Sequence, residues 1–506
     1  MLATHSLVRL VADNWAVVTI AIGCCWVVCN YFRRSLHHIP GPFLRRISSL
    51  PRILSVYNGF SHDDDIALHN TYGKMVRLAP NTLSISDPKE ISTLYGVGTK
   101  FSKSPFYSLA EAYDSDGMLP DPFVLTDRAI HARMKRSAAN AYSLNNVVQM
   151  EPCVDAVTER LVRKLGGYAD AEADDARVVD LAPLMQAYAM DAVFALTFGK
   201  DCNHMDKGDH EGFFKAIKVA NDYMAIFGQV AWCHRFLLRN SWVAAFVPGL
   251  ESMQKLMHFA TDETNAGKGA DADQGTVTTF LQRLLANQRQ NPKGLTDREL
   301  STHVFNNMAA GSDTTAIALR SIIFNTLMTP GAHEKLKAEL RNNLDATRPV
   351  SFAATNKLPY LAAVIKEGIR LHPSVGMMLA RIVPEGGATL CGQYVPAGVE
   401  VGINPWVVQR DAEVYEEPAR FNPDRWLAEN TTEEQLRLMN QAWIPFGHGA
   451  HTCSGRWIST MEIQKVVAQL FLAFDMELAD GGKGYRFHNL WFTPQEGLNV
   501  HFTRAQ

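Results

Sequence analysis

Pro445-Phe446-Gly447-His448-Gly449-Ala450-His451-Thr452-Cys453-Ser454-Gly455 is the stretch on which the reading of this chain turns. One cysteine stands among three glycines, and a helical pattern follows at once. Ile463, Val466, Val467, Leu470, Phe471 and Phe474 fall at i, i+3, i+4, i+7, i+8 and i+11, which predicts an amphipathic helix with one apolar stripe. Cys453 then sits at or just before a helix N-terminus. Unpaired backbone N–H groups and the positive end of the helix dipole favour thiolate over thiol there. The glycines allow a tight turn and a close approach of the backbone to a flat ligand. A lone cysteine is most often a small buried hydrophobe, but that does not account for ten residues in this order.

Working outward, Thr296-Asp297-Arg298-Glu299 forms a capping box, with Thr as N-cap and Glu three residues on. A helical pattern runs from there to Leu327, and Thr329-Pro330-Gly331 stops it. That is about 32 residues, or roughly 48 Å, enough to cross a whole domain. Its second half is apolar nearly all round, which predicts burial in protein. Asn306, Asn307, Asp313, Arg320 and Asn325 make it an expensive membrane span. Inside it stands Ala310-Gly311-Ser312-Asp313-Thr314-Thr315. A mid-helix glycine costs about 1 kcal/mol, and a buried acid costs more unless paired. Such local conflicts mark function. Further on, Lys366-Glu367-Gly368-Ile369-Arg370-Leu371-His372-Pro373 puts Glu367 and Arg370 on one helix face, and Phe421-Asn422-Pro423-Asp424-Arg425-Trp426 follows.

Together these segments resemble the cytochrome P-450 family. The cysteine segment is similar to F-G-x-G-x-R/H-x-C-x-G, and the helix segment to A/G-G-x-D/E-T-T/S. The others are similar to E-x-x-R and to the P-E-R-F/W segment, with Asp424 in place of the more usual Glu. The likeness covers the chain after residue 38. It implies a mainly α fold with small β-sheets and a single large catalytic domain over 46–506. Haem b would lie buried between the long central helix and the cysteine loop. Cys453 would be the thiolate ligand of the iron, pushing electron density that helps break an O–O bond. Phe446 and Gly447 would lie in the loop beneath the haem. Small Ala310 and Gly311 would leave room for O₂ and substrate. Thr314 would hold a proton network that Asp313 feeds. Glu367, Arg370 and Arg425 would form a buried charge triad that fixes the cysteine loop.

Four residues match positions that meet the haem propionates. His131 and Lys135 stand in His131-Ala132-Arg133-Met134-Lys135-Arg136, and Arg381 in Met377-Met378-Leu379-Ala380-Arg381. His451 is the fourth. Lys135 replaces the usual Arg, and neighbouring Arg136 could substitute. His451 stands where most eukaryotic members have Arg, and a neutral imidazole still donates one hydrogen bond.

Lys74-Met75-Val76-Arg77-Leu78-Ala79-Pro80-Asn81 and Lys100-Phe101-Ser102-Lys103-Ser104-Pro105-Phe106-Tyr107 are similar to fungal members of the pisatin-demethylase and benzoate-hydroxylase type. That resemblance implies secondary-metabolite biosynthesis. Substrate positions by resemblance are 107–122, 213–246, 308–315, 374–379 and 490–493. They are rich in Phe, Met, Leu and Trp, so an apolar small molecule is expected. The implied reaction is O₂-dependent hydroxylation, epoxidation or oxidative dealkylation. No G-x-G-x-x-G lies between a strand and a helix, so electrons must come from another protein. By resemblance that partner is the membrane-bound NADPH–cytochrome P-450 reductase, docked by Lys and Arg around the proximal face. Two other readings share the cysteine loop. One is a haem-thiolate isomerase or dehydratase without a reductase, and the acid–threonine pair speaks against it. The other is a non-catalytic haem sensor or electron carrier, which would not need a polar notch in a buried helix.

The chain of 506 residues is 47% hydrophobic with formal net charge −3, so nothing argues for nucleic acid. Length alone suggests about three domains, but no Gly/Ser or Pro-rich linker interrupts the interior. Stretches 169–175 and 267–275 read as exposed loops. Eight cysteines include no C-x-x-C pair, which fits a reducing compartment rather than a disulfide framework or a zinc site.

Residues 15–32 carry no charge and span roughly 27 Å, about the hydrocarbon thickness of an endoplasmic-reticulum bilayer. Trp15, Tyr31 and Phe32 mark the interfaces. Arg33, Arg34, Arg45 and Arg46 follow, against Arg9 upstream, which places the bulk of the chain in the cytosol. A cleaved signal peptide would have a shorter apolar core and a small-residue cleavage site. The expectation is a lumenal segment 1–14, a single-pass endoplasmic-reticulum anchor 15–32 and a basic, Pro-rich hinge 33–45. Ile39-Pro40-Gly41-Pro42 predicts a stiff turn that uncouples anchor from domain. Asn430-Thr431-Thr432 is a glycosylation sequon expected to go unused in the cytosol.

Overall fold

In the computed structural model, which describes residues 14–114, 117–173, 177–237, 250–269, 278–345 and 349–505, these helices and strands frame the site. The helices are α1 (Trp15–Tyr31), α2 (Arg128–Ala138), α3 (Leu181–Phe198), α4 (Phe213–Phe227), α5 (Asp297–Leu327), α6 (Pro359–Leu371) and α7 (Arg456–Ala473). The main sheet takes β1 (Met75–Ala79), β2 (Thr82–Ile85), β3 (Ser102–Lys103), β4 (Arg381–Ile382) and β5 (Glu400–Ile403), in spatial order β1-β2-β5-β4-β3. The architecture is mainly α with small sheets in a single domain, as the resemblance implies. The largest apolar core gathers α3, α5, α6 and α7.

α5 forms for the reason read from its sequence. Thr296 accepts from the Glu299 N–H, the Glu299 carboxylate accepts from the Thr296 N–H, and 31 residues follow without a break. Glycine at 311 is required by packing against α3. A Cβ there would lie 2.5 Å from Val193 Cγ2. The residue lets two helices approach closely as well as lining the space beside them.

α7 corrects the expectation of a single apolar stripe. Residues 461–472 are all buried, polar ones included. Most of the polar ones found partners that sequence periodicity does not reveal. Lys465 Nζ meets Asp155 at 2.6 Å and also pairs with Glu151. Gln469 Oε1 accepts from the Val350 N–H at 3.1 Å. Phe474 is buried but opens the strand Phe474–Leu478 rather than ending the helix. Residue 169 ends one helix and 267–269 end another, while 174–176 and 270–277 lie outside the described residues.

α1 is 17 residues long and none of them is buried. It covers about 25 Å. Among the described residues one helix is long and apolar enough by length and composition to cross a membrane, and it is α3 rather than the shorter α1; 78% of that stretch is buried, so it is a core helix. Residues 1–13 of the expected lumenal segment lie outside the described residues.

The segment after α1 does not hang free as an uncoupling hinge. Leu36 and Ile39 are fully buried against Leu83, Val399 and Val401 of the sheet region. Arg77, itself fully buried on β1, donates to the last carbonyls of α1: Nη1 to Tyr31 O at 2.8 Å and Nη2 to Asn30 O at 2.6 Å. Arg46 Nη1 adds a bond to Tyr31 Oη at 3.3 Å. Proline stiffness was legible in the sequence; the clamp was not, because its arginine lies on a strand remote from the helix.

Candidate functional site

A cavity of about 1430 Å³ lies between α5 and the loop before α7. Ala310, Gly311 and Thr314 line it from α5, and Phe446, Gly447 and Cys453 from the loop. The loop is held by the Cys453 N–H donating to Phe446 O at 2.8 Å. Gly447 and Gly449 have φ of 70° and 60°, a region that disfavours side chains. At Gly449 a Cβ would also lie 2.1 Å from Tyr95 O, so this glycine serves close approach to the protein's own backbone.

Cys453 lies three residues before α7 and its surface opens onto the cavity. Burial pushes its thiol above the usual range. The N–H groups of Gly455 and Arg456 and the charges of Lys135 and Arg456 pull the other way without prevailing. The helix start therefore helps the thiolate as expected, and desolvation outweighs it. A coordinated metal ion deprotonates such a thiol outright.

One edge of the cavity is a cationic socket. Register places Lys103 of β3 opposite Arg381 of β4, so both side chains share one sheet face. Both are buried, although like charges directly opposite are destabilising. His131 and His451 add rings whose centroids are 4.4 Å apart, tilted by 37°, and Lys135 donates to Ala450 O at 3.1 Å and Thr452 O at 2.6 Å. Burial, then the neighbouring cations, push His131 down to about 3 and His451 down to about 2. Burial and Arg381 push Lys103 down to about 7. Arg381 Nε and His451 Nδ1 are buried without a hydrogen-bond partner among the described residues. Asp121 is the acid beside the socket, and burial pushes it up. Such a cluster fits a group that brings two carboxylates to this edge.

The cytochrome P450 sequence profile matches residues 40–500. The chain belongs to the cytochrome P450 family. It is 34% identical over 483 residues to a cytochrome P450 monooxygenase of Emericella nidulans, covering 94% of this chain and 92% of that one. It is 33% identical over 488 residues to a cytochrome P450 monooxygenase of Aspergillus terreus, covering 91% and 94%. It is 31% identical over 487 residues to the pisatin demethylase of Fusarium vanettenii, covering 95% and 93%. The chain is thus a P450 monooxygenase, an oxidoreductase, and membership implies a haem cofactor.

In this P450, Thr314 Oγ1 donates to Ala310 O at 2.8 Å, which leaves its lone pairs free to accept from the cavity side. The Thr314 carbonyl accepts from Ser374 Oγ at 2.9 Å. Asp313 stands outside the cavity wall and accepts from Gln186 Nε2 of α3 at 2.5 Å. Burial pushes it up from 3.8 to about 6, against the pull of Arg320 and of Gln186. Below pH 3.8 the folded and unfolded forms both hold this proton, and above about 6 both have lost it. The cost of the buried charge therefore appears as pH rises through that window. Asp313→Asn should make the protein more stable at pH 7 by on the order of 2–3 kcal/mol, with little effect at pH 4. Denaturant unfolding at the two pH values checks this; equal stability at pH 7 would contradict it.

Glu367 and Arg370 of α6 and Arg425 meet in the interior. Arg370 Nε and Nη2 donate to the two Glu367 oxygens at 2.8 Å each, and Arg425 Nε donates to Oε1 at 3.1 Å. Trp426 Nε1 donates to Oε2 at 2.9 Å and the Asn422 N–H to Oε1 at 3.0 Å. Arg370 also donates to Gln409 O and Pro418 O at 2.8 Å. Three loop segments therefore hang on one carboxylate. Glu367→Ala would strand two buried guanidinium groups and should cost about 3–5 kcal/mol, read as a lower denaturation midpoint.

One cavity gathers Cys453, Phe446, Gly447, Thr314, His131, Lys135, Arg381 and His451. Lys135, not the exposed Arg136, faces it. All five expected substrate stretches contribute lining, with 238–246 and 115–116 outside the described residues. Sequence reasoning missed Lys103 and Gln186. Lys103 was visible only as part of a subgroup likeness; its pairing with Arg381 is a long-range register.

Proposed function

We propose that this P450 is a membrane-anchored haem-thiolate monooxygenase that inserts one oxygen atom from O₂ into an apolar small molecule in fungal secondary metabolism. The observation that carries the reading is the Cys453 sulfur, Thr314 and the cationic socket sharing one cavity. Cys453 would ligate the iron. Lys103, His131, Lys135, Arg381 and His451 would hold the propionates, with Phe446 and Gly447 beneath the ring. Haem so bound supplies reductive activation of O₂, with thiolate donation favouring O–O cleavage.

The chain's own residues do the rest. Thr314 accepts a hydrogen bond from water at the reacting oxygen and orders the proton path. Asp313, poised near neutrality, passes protons in from the α3–α4 side. The apolar wall, with Phe123, Val193, Ile217, Trp491 and Phe492, takes the substrate and excludes bulk water. Hydroxylation, epoxidation and oxidative dealkylation are the reaction types; one relative's name, a demethylase, supports the last.

Electrons come from NADPH through a cytochrome P450 reductase. α1 anchors the enzyme in the endoplasmic reticulum with the catalytic domain cytosolic. Exposed Phe43, Leu44, Leu50, Leu54, Tyr57 and Trp232 support a membrane-facing side. The test supplies reductase-containing microsomes with NADPH, labelled O₂ and a library of apolar small molecules. A product carrying one labelled oxygen, or an alkyl group lost as aldehyde, should form only with NADPH. Turnover that needs neither NADPH nor O₂ would overturn this reading in favour of an isomerase or dehydratase.

A further inference from the structure

Asp121, 8% exposed, meets Asn306 of α5 in the cavity wall, and both residues line the cavity. Asp121 Oδ1 accepts from the Phe123 N–H at 2.6 Å and from Asn306 Nδ2 at 2.8 Å. A carboxylate only accepts, so Asn306 turns its nitrogen toward Asp121 and its oxygen away. Among the described residues no donor reaches Asp121 Oδ2 or Asn306 Oδ1. Two acceptors therefore stand together with no donor to serve them. Burial pushes the carboxyl up, while the Phe123 N–H, the Asn306 amide and the Lys103 charge pull the other way. Acceptors this buried are normally satisfied, here by a donor that enters through the cavity.

The surrounding charge selects the donor. Lys103 stands beside Asp121, and Arg381 and Lys135 stand beside Lys103. That surplus of cations repels an ammonium group and favours a neutral O–H. The walls select what carries it. Ring centroids of Tyr107 and Phe123 lie 5.4 Å apart, of Phe123 and Trp491 5.8 Å, and of Tyr107 and Trp491 6.1 Å, with planes crossing at 81°, 67° and 85°. Rings set this steeply offer edges and faces to a flat aromatic guest. Lys103 Nζ donates to Pro122 O at 2.6 Å and Phe123 O at 2.7 Å, which fixes the turn that carries both Asp121 and Phe123.

Resting on the monooxygenase reading and deepening it, we propose that the substrate is an aromatic molecule with a free hydroxyl group, which donates to the Asp121–Asn306 acceptor pair while the ring packs on Phe123 and Trp491. Asn306 lies one turn, about 6 Å along the axis, before Ala310. A bond there fixes which end of the molecule reaches the small residues at 310 and 311. Asp121 and Asn306 set specificity and take no part in the proton path.

Equilibrium dialysis of the purified holoenzyme, without reductase or NADPH, tests this with two probes of matched size, 2-naphthol and 2-methylnaphthalene. The hydroxyl compound should bind about 10-fold tighter, although it is the less apolar, because it gains a hydrogen bond to a charged acceptor. Equal or weaker binding of 2-naphthol, or no binding of either probe, overturns the proposal. Asp121→Asn keeps an oxygen for the Phe123 N–H and for Asn306 but turns the free oxygen into an N–H donor. The preference should vanish in that variant. A role confined to holding the turn would leave the preference unchanged, and that result also overturns the proposal. Asn306→Ala removes the second acceptor from a long helix and should lower the preference too, which keeps the test open if the turn variant does not fold. Failure of the monooxygenase reading looks different: no compound would be oxidised with reductase and NADPH, while the ratio of the two affinities would stand.

Discussion

Cys453→His should erase the long-wavelength Soret band of the reduced carbon monoxide complex and leave the shorter-wavelength band of histidine-ligated haem. Product formation should fall to background. The loop that presents Cys453 is set by the Phe446–Cys453 backbone bond and by Gly447 and Gly449, none of which the substitution touches. The cationic socket is likewise intact, so the variant should still retain haem. What it loses is the thiolate, and with it the electron donation that favours O–O cleavage. Haem content and band position therefore separate: content stays, the band moves. A freshly folded wild type with only the shorter-wavelength band would refute Cys453 as ligand.

Thr314→Ala should leave NADPH consumption running while product per NADPH collapses and hydrogen peroxide accumulates. The Thr314 hydroxyl donates backward to Ala310 O, so what it offers the cavity is an acceptor that fixes water. Alanine removes that acceptor and leaves the backbone turn, including the Ser374 bond to the Thr314 carbonyl, in place. Positioned proton transfer is typically worth about 10²–10⁴-fold, so the loss of coupling should be plain. Asp313→Asn should slow the same step, even though it stabilises the fold at neutral pH. An isomerase would turn over without NADPH, and neither substitution would generate peroxide. Full coupling in both variants would remove the assigned roles of Asp313 and Thr314 and leave the haem assignment standing.

What the sequence made legible was local. The start of α5 was readable because its capping box lies within four residues, and its end because Pro330 cannot continue a helix. The cysteine loop was readable because turn residues and helix pattern adjoin it. What stayed hidden depends on residues far apart in the chain. The Lys103–Arg381 pair exists only through strand register, and Gly311 answers to Val193 on another helix. α7 read as amphipathic because periodicity counts apolar residues; it cannot see that Lys465 is neutralised by Glu151 and Asp155, or that Glu462 has no cation beside it among the described residues and is held protonated by burial.

The Arg77 clamp changes what a tether does. With a loose joint, tilting α1 would leave the domain where it was. Here the helix ends in three bonds, two from Arg77 and one from Arg46, backed by buried Leu36 and Ile39. Helix tilt and domain attitude become one mechanical variable. On the anchoring proposed above, 17 residues are short for a thick bilayer, and a short span is accommodated by local thinning rather than by tilt. Bilayer thickness would then act as a lever on the domain, setting how deeply the apolar side around Phe43 and Trp232 is pressed against lipid.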